Sequence, residues 1–387
     1  MDYLSPTLYA TDLLILLILL IYLKNSKKLK LFFSENKKNI SLILLLLLSG
    51  IYFSLSPLSG AYSFLKLCEF FLLFFYIKEN IVRFKKILPV LLSIGIIFES
   101  LLSIAQFINA GSIGGIFYFF GERFFSASTP NIANALIGSQ LILRPYGTFP
   151  HPNILAAYLL IGIIFILKDL SVGKNFKTLV YLAALSLGYI ALFISLSRIA
   201  VLLSIIVIPL ILIKNTPRKE LKKRNFLALL IILVTISAVF FKTIFYRFLN
   251  LLLFDSAFTD RVNLIKASLS MIYKNPLLGV GLGNFLTNLP LYYKSNNFFF
   301  LQPVHNIFLF VGSETGLMGL FLFIWFFALS IKKARDGETL TLLSSIIIFG
   351  FFDHYFVTLE QGQLLFVLVL GYIWASQRSV INDKIAK

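Results

Sequence analysis

Charge is scarce in this sequence, and acidic charge scarcest. Asp and Glu together number 17 against 35 Lys and Arg in 387 residues, and charged residues are 13% of the chain, where a soluble domain carries about 25%. That excludes an ordinary cytosolic enzyme. Cys68 is the only cysteine, so no disulfide framework exists and thiols do not report the redox compartment. No Walker sequence occurs, and Gly279-Val-Gly281-Leu-Gly283 is no dinucleotide fingerprint, because Asn284 follows and no βαβ pattern surrounds it. Nucleotide-driven chemistry is therefore not expected. No external paired acidic motif of the Asp-x-Asp kind appears either. Asp255 with Asp260 is the nearest approach, which argues against a metal-dependent transferase. Internal repeats are absent, and Met1–Thr11 lacks the positive region of a cleavable leader.

What the chain has instead is apolar sequence, 58% of all residues. Apolar runs recur from end to end at lengths that cross, or nearly cross, a hydrocarbon core of about 30 Å. We read eleven spans, near 8–23, 40–56, 61–77, 87–109, 153–168, 178–195, 198–213, 225–243, 305–331, 339–357 and 362–376. The expected fold is an all-α polytopic membrane protein, with residues 1–387 forming one multi-spanning domain.

The net charge of +18 belongs to this topology and not to a nucleic acid partner. Of the 35 basic residues, 25 fall in alternate connections at 24–39, 78–86, 168–177, 214–224, 332–338 and after 376. Because Lys and Arg stay cytoplasmic, the N-terminus is expected outside and the C-terminus in the cytoplasm. The two long loops, 110–150 and 244–304, then come out external. In the second, Asp260–Lys274 reads as a helix with Val262, Ile265, Leu269 and Ile272 on one face, suited to lying on the membrane surface.

The polar residues inside this apolar frame cluster at three span starts on the expected external side: His151-Pro152-Asn153, Ser195-Leu196-Ser197-Arg198 and His305-Asn306. Pro152 suits a first helical position, which makes His151 a cap, and Ser197 can cap the span opening at Arg198. Free N–H groups at helix starts bind anions, and the arginine fork matches phosphate oxygens. A phosphate or pyrophosphate is the implied ligand. His305 is the best base, since imidazole titrates near neutrality and the positive end of a helix disfavours its protonated form. Gly312, Gly316 and Gly319 share its face at helical spacing, a shallow groove open to a neighbouring helix or a lipid chain. Glu314 lies on the opposite face. Asp353, His354 and Glu360 form a set that could take a metal or protons.

Taken in order, Arg144-Pro-Tyr-Gly-Thr-Phe-Pro-His151-Pro-Asn153, Ser195-Leu-Ser-Arg198, Asp260-Arg261 with Asn275-Pro-Leu-Leu-Gly279-Val-Gly281-Leu-Gly283, and His305-Asn306 with Glu314-Thr-Gly316-Leu-Met-Gly319 resemble the O-antigen ligase and polymerase family over about 140–320. The resemblance implies a GT-C-like glycosyltransferase of the bacterial cytoplasmic membrane. Such an enzyme takes a glycan from an undecaprenyl-diphosphate donor on the outer face, without metal, nucleotide or other cofactor. It makes Arg198 and Arg261 pyrophosphate contacts and His305 the essential histidine, and it places Arg144, His151, Asn153, Asn306 and Glu314 among the expected substrate-binding residues. The acceptor is left open between a lipid, a growing glycan and a protein hydroxyl. From another class, a lipid-glycan flippase would use the same basic residues without chemistry; discontinuous spans would favour it, and buried Lys66, Glu69 and Glu99 fit it.

Overall fold

The structure is a computed structural model that describes residues 6–137, 140–170, 176–214, 231, 233–241, 245, 256–293 and 301–375. The expected loop 214–224 falls almost wholly outside these residues, and the expected span 225–243 is described only at 231 and 233–241; Asp255, Lys242, Arg247, Lys294 and the chain beyond 375 also lie outside. Described helices are α1 (Ala10–Asn25), α2 (Lys27–Glu35), α3 (Lys37–Tyr52), α4 (Pro57–Phe84), α5 (Leu88–Asn109), α6 (Pro152–Asp169), α7 (Phe176–Ile194), α8 (Arg198–Lys214), α9 (Ser256–Lys274), α10 (Phe285–Tyr292), α11 (Ile307–Lys333), α12 (Gly337–Phe352), α13 (Tyr355–Thr358) and α14 (Glu360–Ala375). A single hairpin, β1 (Asn134–Ile137) with β2 (Gln140–Leu143), is antiparallel with Asn134 opposite Leu143.

Among the described residues, α4, α5, α6, α7 and α11 are long and apolar enough to cross a membrane, and α8, α12 and α14 are shorter apolar helices. This is an all-α membrane protein. Two sequence expectations change. The basic connection 24–39 is itself helical, as α2, capped by the Ser26 hydroxyl accepting the Leu29 N–H at 3.1 Å. The span expected at 339–357 ends at Phe352, after which Asp353 and His354 leave the helix before the short α13.

Backbone proximity groups the chain into two compact units, 83–258 with 336–345, and 1–82 with 259–335 and 346–387. In the first, α5, α6 and α7 pack on one another around small residues. A Cβ on Gly162 or Gly188 would lie 2.7 Å from the Ile96 side chain, so these helices meet at van der Waals distance only because glycine is there. In the second unit, α4, α11 and α14 meet through Phe74, Phe326 and Trp374, with Phe326 and Trp374 stacked and the Trp374 indole N–H donating to Ser330 Oγ at 2.9 Å. Lys66 on α4 binds Asp12 of α1, Glu360 at the start of α14 (3.0 Å) and Glu69 one turn on (3.6 Å). A lysine within an apolar helix needs such partners, since an intramembrane charge costs about 2.5–3.5 kcal/mol at mid-bilayer on insertion scales. The acid network therefore ties three helices together.

Candidate functional site

In the 1–82/259–335/346–387 unit, the site is built on two helix ends. Asn306 caps α11, its Oδ1 accepting from the N–H groups of Phe308 and Leu309 at 2.9 Å each, while its Nδ2 donates to Phe351 O at 3.2 Å. One side chain thus closes the start of α11 and holds it against the end of α12. His305 precedes the cap and Asp353 follows Phe352, so the clasp brings them together: His305 Nδ1 lies 3.2 Å from Asp353 Oδ1. That oxygen also accepts the His354 N–H at 2.9 Å. His354 pairs its own Nδ1 with Thr358 Oγ1 at 2.6 Å, and the two imidazole rings sit 5.3 Å apart. Burial in this break between helices pushes the His354 imidazole down to about 3, Asp353 opposing the shift and the charges of His305 and Arg261 adding to it. His354 is therefore neutral at ordinary pH, and Arg261, exposed on α9, is close enough for its charge to be felt there.

The ring nitrogens of His305 and His354 and the carboxylate of Asp353 lie within 4.8 Å of one another, a donor set a divalent cation could use. Glu360, the third member of the acidic set read from the sequence, is engaged with Lys66 and with Thr11 Oγ1 at 3.1 Å.

The glycines have a different role from the one expected. Gly316 has φ 67° and ψ −170°, so α11 is broken within its run. The break frees the carbonyls of Ser313 and Glu314, which accept instead from Val280 N (2.8 Å) and Gly281 N (3.0 Å), and Leu317 N donates to Pro276 O at 2.7 Å. A Cβ on Gly316 would lie 2.3 Å from Leu277 O, and one on Gly279 2.4 Å from Ser313 O. Backbone thus meets backbone. At Gly316 the groove expected beneath His305 is filled by the 276–283 loop, while at Gly312 the neighbouring helix α9 closes it. Beside it remains an apolar cleft lined by Leu46, Leu278, Leu282, Met318 and Leu322. Gly312 packs on Ile272 of α9, and Gly319 lies against Thr315 of its own helix. Gly281 and Gly283 admit the close approach of Ser54, Gly50 and Ser63 from α3 and α4, where Asn284 also exchanges hydrogen bonds with the backbone of Ser56.

Glu314, expected among the substrate-binding residues, is buried, and its two oxygens accept the N–H groups of Gly283 (2.9 Å) and Phe285 (3.1 Å), which clamps the glycine loop. On α9, Leu264, Ala267, Ser268 and Met271 form the buried face, and Ile265 and Leu269, on the face expected to lie on the membrane surface, are exposed. Asn306, expected among the substrate-binding residues, is a cap and clasp, so two of the N–H groups at that helix start are already engaged.

In the 83–258/336–345 unit, the second cluster forms where α6 begins and α7 ends. Buried Arg144 donates from Nε to Ser195 O at 2.7 Å and from Nη2 to Asn153 Oδ1 at 2.6 Å, so Arg144 and Asn153, both expected to bind substrate, bind each other. His151 caps α6 as expected, its Nδ1 accepting the Asn153 N–H at 3.1 Å. Between α7 and α8 the hydroxyl that accepts a backbone N–H is that of Ser195, from Ser197 at 3.3 Å. Leu196, buried, holds φ 53°, a left-handed turn that a branched side chain rarely adopts and that aims Arg198 from the start of α8. Sequence reasoning had no signal for Leu196.

A multi-helix membrane protein with a histidine–carboxylate pair where one of its helices breaks off is the broad class that the fold and this site define. Residues 181–324 match the family model described as O-antigen ligase, so over this stretch the chain is similar to the O-antigen ligase and polymerase family, whose members are membrane glycosyltransferase-like enzymes. The match runs from α7 through most of α11 and holds Arg198, Arg261, the glycine loop, His305 and Glu314; Arg144 and Asp353 lie beyond it. A search of curated proteins found no match.

Proposed function

We propose that the protein transfers a glycan from a polyprenyl-diphosphate-linked donor, undecaprenyl diphosphate in bacteria, to an acceptor hydroxyl with inversion at the anomeric carbon. The observation that carries this reading is the His305–Asp353 pair. With the carboxylate accepting from Nδ1–H, the imidazole is held in the tautomer whose Nε2 takes a proton. The acceptor O–H proton passes to Nε2 as its oxygen forms the new bond to the anomeric carbon. The bond from that carbon to the diphosphate oxygen breaks, and the electron pair leaves with the polyprenyl diphosphate. Arg261 and Arg198 stabilise that developing charge, a role the family match supports, since both lie within it.

The basic residues in alternate connections favour an external site, an N-terminus outside and a C-terminus in the cytoplasm. Ligase, polymerase and protein O-glycosyltransferase activities share this chemistry and differ in the acceptor. The broken α11 is the feature a transporter would share, so the test is made where no vectorial movement can be scored. Purified protein in detergent is incubated with undecaprenyl-diphosphate glycan and a panel of lipid, glycan and peptide acceptors, with products read by mass spectrometry. Free undecaprenyl diphosphate and a glycosylated acceptor from wild type, and from no His305→Ala sample, is the expected result; donor bound but intact with every acceptor overturns it in favour of transport.

A further inference from the structure

The segment joining α5 to α6 is expected from sequence to be an external loop, yet it does not run away from the helix. α5 has 22 residues, a length of about 33 Å, with Phe98 at its middle. After Asn109 the chain reverses through Ala110 at φ 49° and forms a 3-10 turn at Gly115–Phe120. The rings of Phe117 and Phe120 reach back to Phe98, at 6.4 and 5.7 Å between centroids. Phe98 lies 11 residues before the helix end, about 16 Å down the axis. The return strand does the same: Gln106 Oε1 accepts the N–H groups of Tyr146 and Gly147, and Glu99 accepts the N–H and the hydroxyl of Thr148. The segment therefore wraps the half of α5 that precedes Asn109, at depths where a spanning helix is surrounded by hydrocarbon.

Two independent features fit that surrounding. Residues 110–121 carry no charge, and Phe119 is 85% exposed, with Ile116, Tyr118, Phe120 and Phe124 exposed beside it. Such a contiguous apolar patch is unsuited to water. Much of the backbone is satisfied internally, as non-helical chain at membrane depth requires. Glu122, itself buried, accepts from Ile113 N (2.8 Å), Gly114 N (2.7 Å) and Gln106 Nε2 (2.8 Å), while Ser112 N donates to Phe125 O and Glu122 N to Phe117 O.

We infer that the aromatic turn at 113–121, with Phe124 stacked on Tyr118, is a re-entrant, lipid-embedded segment whose exposed face contacts the acyl chains of the leaflet surrounding the C-terminal half of α5, the exposed Arg123 marking the headgroup boundary. Its occupant is bilayer lipid, not a soluble partner. The inference stands apart from the transfer chemistry, and its test needs no substrate. In a Cys68→Ser background, Phe119→Cys and Phe124→Cys carry a nitroxide, with Ser128→Cys, exposed beyond the turn, as the aqueous control. Each labelled protein is placed in phosphatidylethanolamine/phosphatidylglycerol vesicles after passing size exclusion as a single species. Collision with oxygen, which concentrates in hydrocarbon, is compared with collision with a water-soluble nickel chelate. Oxygen should dominate at 119 and 124, and the chelate at 128. Chelate dominance at 119 and 124, or protection of both from either agent as a covering protein would give, overturns the proposal.

Discussion

The two polar clusters of this chain use the same kinds of residue in opposite ways. Around His305 the polar side chains hold a titratable ring in place: Asn306 clasps two helix ends, Asp353 accepts from the imidazole side, and the glycine loop knits itself into a broken α11. Around Arg144 a fixed positive charge is locked by a backbone carbonyl and an amide oxygen, on helices packed through glycine without a break. One cluster fixes a titratable ring beside a carboxylate, the other fixes a permanent charge between neutral acceptors. Under the proposed transfer, that difference separates residues whose loss removes chemistry from residues whose loss removes structure, although both groups stood together as expected site residues.

The sharpest break in the comparison comes from His305→Ala, which should lower glycan transfer by about 10²–10⁴-fold, the usual worth of a general base, while thermal unfolding in detergent stays near wild type. Arg144→Lys should do the reverse. A single ammonium cannot span Ser195 O and Asn153 Oδ1, and losing one charge-assisted hydrogen bond costs about 1.5–3 kcal/mol, read as a lower unfolding midpoint with transfer falling only in proportion to folded protein. Glu314→Gln opposes an amide N–H₂ to one of the two backbone N–H groups now bound. A stability loss of about 1–3 kcal/mol with KM unchanged is expected; a raised KM at unchanged stability would return Glu314 to the substrate.

The smallest effect concerns acid. His354 is held at about 3 against an ordinary value near 6.5, so between those values the unfolded chain binds the extra proton and stability rises with pH. Its contribution is complete above about 6.5 and is lost progressively as pH falls below that. Midpoints measured from pH 7.5 to 4.5 should drop on the acid side for wild type and drop less for His354→Gln; parallel curves would show that the ring does not titrate with unfolding.

The sequence made much of this visible. The spans around α4 to α8 and α11, the cap at His151 and the order of the motifs from Ser195 to Gly319, which the family match covers, follow from apolar length, proline position and spacing. What it hid has definite physical causes. Asp353 is 48 residues from His305 and lies in what reads as a span; an acid in such a run is itself a functional signal, but its partner depends on how two helix ends meet. The groove at Gly312, Gly316 and Gly319 was drawn on a straight helix, and Gly316 at φ 67° breaks that geometry. α9 has apolar residues on two faces, so periodicity alone did not choose between the buried Leu264 and Met271 and the exposed Ile265 and Leu269. Arg144 and Asn153 looked available for substrate because their mutual bond spans a turn that the sequence does not draw.

The central claim is that His305 and Asp353 act as one unit, and a double-mutant cycle tests it most directly. Transfer rates would be measured for wild type, His305→Ala, Asp353→Asn and the double variant, each verified as folded by size exclusion and thermal unfolding. If the carboxylate works through the imidazole, Asp353→Asn lowers kcat and the double variant is no slower than His305→Ala alone. Rate losses that multiply, or an Asp353→Asn enzyme that turns over like wild type, would contradict the account.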